Sequence, residues 1–103
     1  GLPGLVCSVL GCEEVCLTDV ESVLPGLKGN VEAFEKVVKS QDTVAQTARV
    51  ECVALDWGNE EDVQAASRCP YDVVIGCDLL NSEGNIAPLL RVLQSVSAKD
   101  AAI

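Results

Sequence analysis

Three short apolar runs constrain this chain more than any other feature: EVCLT at 14–18, RVECVAL at 49–55 and VVI at 73–75. Each is followed within a few residues by an aspartate, Asp19, Asp56 and Asp78 in turn. The stretches between them carry helical spacing. Pro3 suits a first helical turn, Leu5, Val6, Val9 and Leu10 supply an apolar face, and Gly11 suits the exit. Leu24, Leu27, Val31 and Phe34 recur three and four residues apart, with Ser22 as the expected N-cap and Pro25 in the first turn. Residues 58–66 are acidic and contain a short helix, which Cys69-Pro70 ends. Ile86, Leu89, Leu90 and Leu93 mark a last helix. Residues 39–48 are polar and read as a loop or a frayed helix end, and 99–103 as the beginning of another strand. Helix alternating with strand is the pattern of an α/β fold with a parallel sheet and right-handed crossovers.

That topology sets expectations for the three aspartates. Val73, Val74 and Ile75 form a continuous β-branched run, expected as a strand buried on both faces. In a parallel sheet the carboxyl ends of the strands share one edge, where open α/β sheets bind their ligands. Asp19, Asp56, Trp57 and Asp78 are therefore expected on one rim. Each has a plainer reading. Asp19 and Asp78 can cap the turn or helix that follows, and Trp57 can simply pack in the core.

Charge and cysteine content narrow the partners. The 103 residues include 16 acidic and 7 basic side chains, a formal net charge of −9, with no stretch rich in Lys or Arg. Nucleic acid and anionic membrane are not the expected partners, because a phosphate surface calls for a basic one. A basic or lysine-presenting protein would be steered favourably by the same field. Cys7, Cys12, Cys16, Cys52, Cys69 and Cys77 are scattered, form no CxxC pair and are joined by no histidine. They read as reduced cysteines packed as small hydrophobes, not as a zinc site or a disulfide framework, which favours the cytoplasm or nucleus. No run of about 20 apolar residues is long enough for a transmembrane helix. The absence of methionine points to an internal piece of a longer protein.

The rim suits an adenosine group. Asp19 after its strand suits the acidic residue that accepts hydrogen bonds from ribose hydroxyls. Asp56 can take the exocyclic amine of adenine, and the indole of Trp57 can pack on its face. Nicotinamide dinucleotides and S-adenosylmethionine both carry that group. A nicotinamide-dependent dehydrogenase is disfavoured, since no GxGxxG run precedes the acidic residue.

The stretches GLPGLVCSVLG, VCLTDVESVLPGLKGNV, ALDWG and YDVVIGCDLLNSE, in this order, resemble the seven-β-strand (class I) S-adenosylmethionine-dependent methyltransferases. More narrowly they are similar to the family-16 methyltransferase-like enzymes, mostly protein-lysine N-methyltransferases. The resemblance covers residues 1 to about 96. It implies a partial Rossmann-like, doubly wound parallel sheet, with residues 1–103 forming one partial methyltransferase domain. The first strand and the strands after the fourth would be missing. Because the family's first strand lies between its second and fourth, a gap is expected at the centre of the sheet, and marginal stability for these residues alone.

The resemblance also implies roles. Gly1 and Gly4 would be the tail of a glycine-rich loop beside the cofactor's methionine portion. Asp19 would hold the ribose, Asp56 and Trp57 would border the adenine, and the backbone of Cys77 would approach the cofactor. Asp78 would face the cofactor's methionine end and the incoming lysine of a protein substrate. Asn81 stands where the family's Asp-x-x-Tyr motif has its tyrosine, without the aromatic wall or phenol. A methyltransferase-like domain that has lost catalysis and binds protein partners is the alternative. Methyl transfer in such a site is mainly alignment of a neutral amine with the methyl carbon and calls for no metal.

Overall fold

In a computed structural model, residues 1–42 and 48–103 are described, and they divide into two compact units, 1–54 and 55–103. The architecture is mixed α/β with short parallel strand pairs, the class expected from the sequence.

The first unit runs α1 (Leu2–Val9), β1 (Glu14–Asp19), α2 (Leu24–Lys39) and β2 (Arg49–Ala54). Strands β1 and β2 pair in parallel through an unbroken register from Glu14 opposite Arg49 to Asp19 opposite Ala54. The opening pair is reinforced by an exposed ion pair, Arg49 Nη1 to Glu14 Oε1 at 3.5 Å, a contact worth under about 1 kcal/mol in that setting. Leu5 from α1, Leu17 from β1 and Leu27 and Val31 from α2 form the core, with Val15, Leu24, Phe34, Val50 and Cys52 packed around it. The helical stripe read from the sequence is thus the face that α2 buries. Val38 extends it into the last turn, where Lys36 and Lys39 also oppose the negative end of the helix dipole.

Helix α1 stops as its sequence indicates. Leu10 donates its N–H to the Cys7 carbonyl at 3.1 Å, and Gly11 follows at φ 103°, a conformation that glycine adopts without a side-chain penalty. Ser8 is buried, and its hydroxyl donates to the Leu5 carbonyl at 2.6 Å. The Ser8 carbonyl accepts from the N–H of Ala48 at 2.9 Å, tying the helix to the residue before β2.

The start of α2 differs from expectation. Ser22 is not its N-cap: it lies inside a single 3₁₀ turn, Glu21–Val23, that feeds directly into the helix. Val23, already helical, takes the cap position with no side-chain hydrogen bond. The preceding turn supplies the chain direction that a capping side chain would otherwise fix. Pro25 does occupy the first turn. Of the polar segment 39–48, Lys39 closes α2 and Ser40 caps it, while 43–47 lie outside the described residues.

The second unit runs α3 (Glu60–Ala66), β3 (Tyr71–Val73), α4 (Ile86–Val96) and β4 (Ser97–Ala102), with a 3₁₀ turn at Glu83–Asn85. Leu55, Ala66, Val92 and Val96 form its core, with Trp57, Val63, Tyr71 and Val74 packed against them. Strands β3 and β4 are parallel but irregular: Tyr71 stands opposite Ser97 and Val73 opposite Ala102, with a bulge between. Residues 99–103, expected to begin a strand, contribute most of β4.

The run 73–75 is not a strand buried on both faces. β3 ends at Val73, which is 57% exposed, and Ile75 is 53% exposed. The β-branched run encodes extended backbone, but burial on two faces needs covering layers and neighbours on both edges. Among the described residues β3 has one neighbour, β4. Among the described residues the four strands form two two-stranded sheets, β1–β2 and β3–β4.

Gly29 lies inside α2 with open space where a Cβ would project. Gly29→Ala is expected to raise stability by about 1 kcal/mol through helix propensity alone. Urea unfolding with an unchanged slope checks this, and an unchanged or lower midpoint would contradict it.

Candidate functional site

Asp19 is the last residue of β1 and is exposed. Its Oδ1 accepts the N–H of Val20 at 2.8 Å, which turns the chain off the strand. The other carboxylate oxygen has no partner among the described residues and can accept hydroxyl donors. Gly1 is the N-cap of α1, and Gly4 lies in its first turn. A Cβ on Gly1 would come within 2.7 Å of Leu27 Cδ1, and one on Gly4 would overlap Leu17 Cδ2 and approach Val15 Cγ1 to 3.3 Å. Gly4 thus lets α1 lie close on β1, the close helix–strand packing that a dinucleotide-binding turn also asks of a glycine, while Gly1 lets the start of α1 approach Leu27 of α2. The N-terminus of α1 consequently lies beside Leu17, two residues before Asp19.

Asp56 sits in a tight turn. Its Oδ1 accepts the Gly58 N–H at 2.9 Å and its carbonyl accepts the Asn59 N–H at 3.0 Å. Its own N–H donates to Asp62 Oδ2 at 3.0 Å. Asn59 in turn caps α3, its Oδ1 accepting from the N–H groups of Glu61 and Asp62 at 3.0 and 3.2 Å. Asp62 and Asn59 escaped the sequence reading, although Asn followed three residues later by an acidic residue is a recognisable helix start. Trp57 is half-buried against the second core. The packing reading of the indole is therefore realised, with part of the ring still accessible.

Asp78 is the only non-glycine residue at positive φ among the described residues, at 55°. It is exposed and caps no helix: the next helical turn begins at Glu83, after Ser82 in the cap position. The capping reading is set aside. Aspartate tolerates the left-handed region better than most side chains, yet the conformation still costs on the order of 1 kcal/mol. Asp78 borders an open depression of about 470 Å³ whose other lining residues are Gly76, Leu79, Leu80, Leu89, Leu93 and Ile103. One carboxylate on an otherwise apolar wall matches a ligand with an aliphatic stem and a cationic or amine head. The depression could not be read from the sequence, because α4 supplies Leu89 and Leu93 and the chain's last residue supplies part of the wall.

Cys77 is exposed and lies four residues past β3. Asn81 is exposed, and its Oδ1 accepts from Asn85 Nδ2 at 2.7 Å, linking the segment after Asp78 to the turn before α4. Asp19 ends β1 and Asp56 follows β2 at the carboxyl end of the same parallel pair, as expected, whereas Asp78 follows a strand of the other sheet and not of that pair.

All six cysteines are free thiols. Among the described residues no three His, Cys, Asp or Glu side chains group to hold a metal ion, and no helix is long and apolar enough to cross a membrane. Burial pushes the Cys52 thiol above its ordinary pKa, and Glu51 adds to the effect while Lys28 opposes it. The raised value means that Cys52 favours folding most while protonated, at neutral pH, a contribution lost as pH rises through the raised value. With iodoacetamide near neutral pH, Cys12, Cys69 and Cys77, all exposed, are expected to alkylate first and Cys52 to lag. Peptide mapping that places Cys52 among the early sites would refute this.

The comparisons with known proteins agree on one family. The family described as lysine methyltransferase matches residues 1–103. The protein N-lysine methyltransferase METTL21A of Danio rerio is 29% identical over 103 residues, covering 100% of this chain and 43% of that protein. The protein N-terminal and lysine N-methyltransferase EFM7 of Yarrowia lipolytica is 27% identical over 109 residues, covering 95% of this chain and 40% of that protein. The chain thus spans less than half the length of either relative.

Proposed function

The chain belongs to the lysine methyltransferase family, and from that premise we propose that it is part of an S-adenosylmethionine-dependent protein-lysine N-methyltransferase. The observation that carries the reading is Asp78, a solitary carboxylate held in a left-handed turn beside an apolar depression. An extended lysine fits that chemistry, its methylenes against Leu79, Leu89 and Leu93 and its nitrogen at the carboxylate.

The cofactor, when bound, supplies an electrophilic methyl carbon on a sulfonium sulfur. Taken one by one, the residues suit it, and the roles are those the resemblance implies. Asp19 would accept from the ribose hydroxyls through the oxygen that Val20 does not use, and Gly1 and Gly4 would lie beside the methionine portion. Asp56, whose Oδ1 serves Gly58, would take the exocyclic amine of adenine through its second oxygen, and the half-buried Trp57 would border the base. The backbone at Cys77 would approach the cofactor.

At the acceptor, the reacting species is the neutral amine. An apolar wall disfavours the ammonium and raises the neutral fraction of the lysine. An Asp78 carboxylate oxygen then accepts a hydrogen bond from the nitrogen, aims its lone pair and favours the positive charge that develops as the bond forms. Asn81, tied to Asn85, fixes the following segment. Free thiols and a net charge of −9 accord with a reducing compartment, cytoplasm or nucleus, and with a lysine-presenting protein partner in place of nucleic acid or membrane.

A second reading is a domain that binds proteins without methyl transfer. The observation favouring it is Asn81, which puts an amide already engaged by Asn85 where the family's motif has a tyrosine.

Titration calorimetry on the full-length protein tests the proposal. S-adenosylmethionine should bind, adenosylhomocysteine should compete and NADH should not. Asp19→Asn, whose side-chain oxygen can still accept from Val20, should weaken cofactor binding about tenfold or more, the scale of one hydrogen bond to a charged group, without lowering the melting temperature. Asp78→Asn should lower kcat at least about tenfold. Absence of cofactor binding would sink the enzymatic reading; binding with no transfer to any lysine-bearing protein would favour the second.

A further inference from the structure

Asp78 owes its place to no polar contact. Its side chain has no hydrogen-bond or ion-pair partner among the described residues, and yet its backbone sits at φ 55°. Something apolar must hold the turn. Of residues 76–81 only Leu79 is not exposed. Its side chain lies over the bare α-carbon of Gly76: a Cβ at Gly76 would overlap Leu79 Cδ1 and come within 3.3 Å of Leu79 Cγ. The two residues flank the segment that contains Asp78 and both line the same depression.

We propose that Gly76 and Leu79 form a clasp that positions Asp78: the leucine folded over the glycine closes the turn and holds the aspartate in the left-handed conformation, setting its carboxylate at the edge of the depression. The clasp offsets the crowding between Cβ and carbonyl that this conformation imposes on an L-residue. Without it the backbone at residue 78 relaxes to ordinary helical or extended values, and the carboxylate leaves its place. The catalytic consequence rests on the reading above, in which Asp78 meets the acceptor amine; the geometric part does not.

The test uses the full-length protein with three variants, Gly76→Ala, Leu79→Ala and the two combined. The HN–Hα scalar coupling of Asp78 reads its φ directly, and kcat, acceptor KM and cofactor affinity are measured alongside. Gly76→Ala should shift the coupling and lower kcat about tenfold or more, as small misplacements do. Leu79→Ala removes the clasp from the other side and should shift the coupling and lower kcat comparably. The combined variant should be no slower than Leu79→Ala, because the added methyl then meets no leucine. Effects that multiply, or a coupling unmoved by Gly76→Ala, would overturn the clasp. Should Gly76→Ala fail to fold, the combined variant should recover folding, and its failure to do so would equally overturn the proposal. Asp78→Asn separates the two layers. If it turns over at the wild-type rate while the coupling shifts as expected, the clasp stands and the acceptor reading falls.

Discussion

A parallel strand pair cannot be closed by a hairpin, and most of this structure follows from that constraint. To bring β2 alongside β1 in the same direction, the chain must travel back the full length of the strand, and α2 makes the return. The return leg is amphipathic because it must lie on the sheet it connects, which is why Leu27 and Val31 meet Leu17 in one core. Helix α4 plays the same part between β3 and β4, with Val92 and Val96 facing Leu55 and Ala66. In each pair the strands end on the same side, so residues placed just beyond those ends are free to do chemistry.

Close approach is the second condition. Gly4 allows α1 to sit against Leu17, and Gly1 allows its start to approach Leu27. The sequence resemblance implies a cofactor role for these glycines, whereas the packing assigns them first to seating α1. The two roles are compatible. A helix set tightly on a strand brings its unsatisfied N–H groups near the strand's end, and that is where an anionic group is best received.

Much of the frame is legible in the sequence because it is local. Leucine spacing in α2 and the β-branched runs of β1 and β2 specify their own backbone, and Gly11 specifies an exit. What escaped depends on neighbours. Ser22 looked like a cap because the 3₁₀ turn ahead of α2 has no signature distinct from a capped start. Val73–Ile75 looked doubly buried because the run states a preference for strand but not the number of its partners. The bond from Asp56 N–H to Asp62 Oδ2 spans a turn and a helix start, and the left-handed backbone of Asp78 arises from Leu79 and Gly76 together. Of the proposed site, the aspartates were visible as strand-terminal residues, whereas the apolar wall beside Asp78 was not, since it is assembled from α4 and the final residue.

The contrast between the two sheets has an entropic consequence. Six residues of β1 pair in step with six of β2, whereas β3 and β4 meet at two register positions around a bulge. Opening the first seam breaks a continuous ladder, while the second can part locally. Amide protons of residues 49–54 should therefore outlast those of 71–73 in exchange with solvent. Asp78 hangs from the looser seam, so a ligand that settles against it must also quieten the backbone that carries it. Part of its intrinsic attraction is spent on that ordering, and anything else that stiffens the β3–β4 seam beforehand will make the same ligand bind more tightly without touching it.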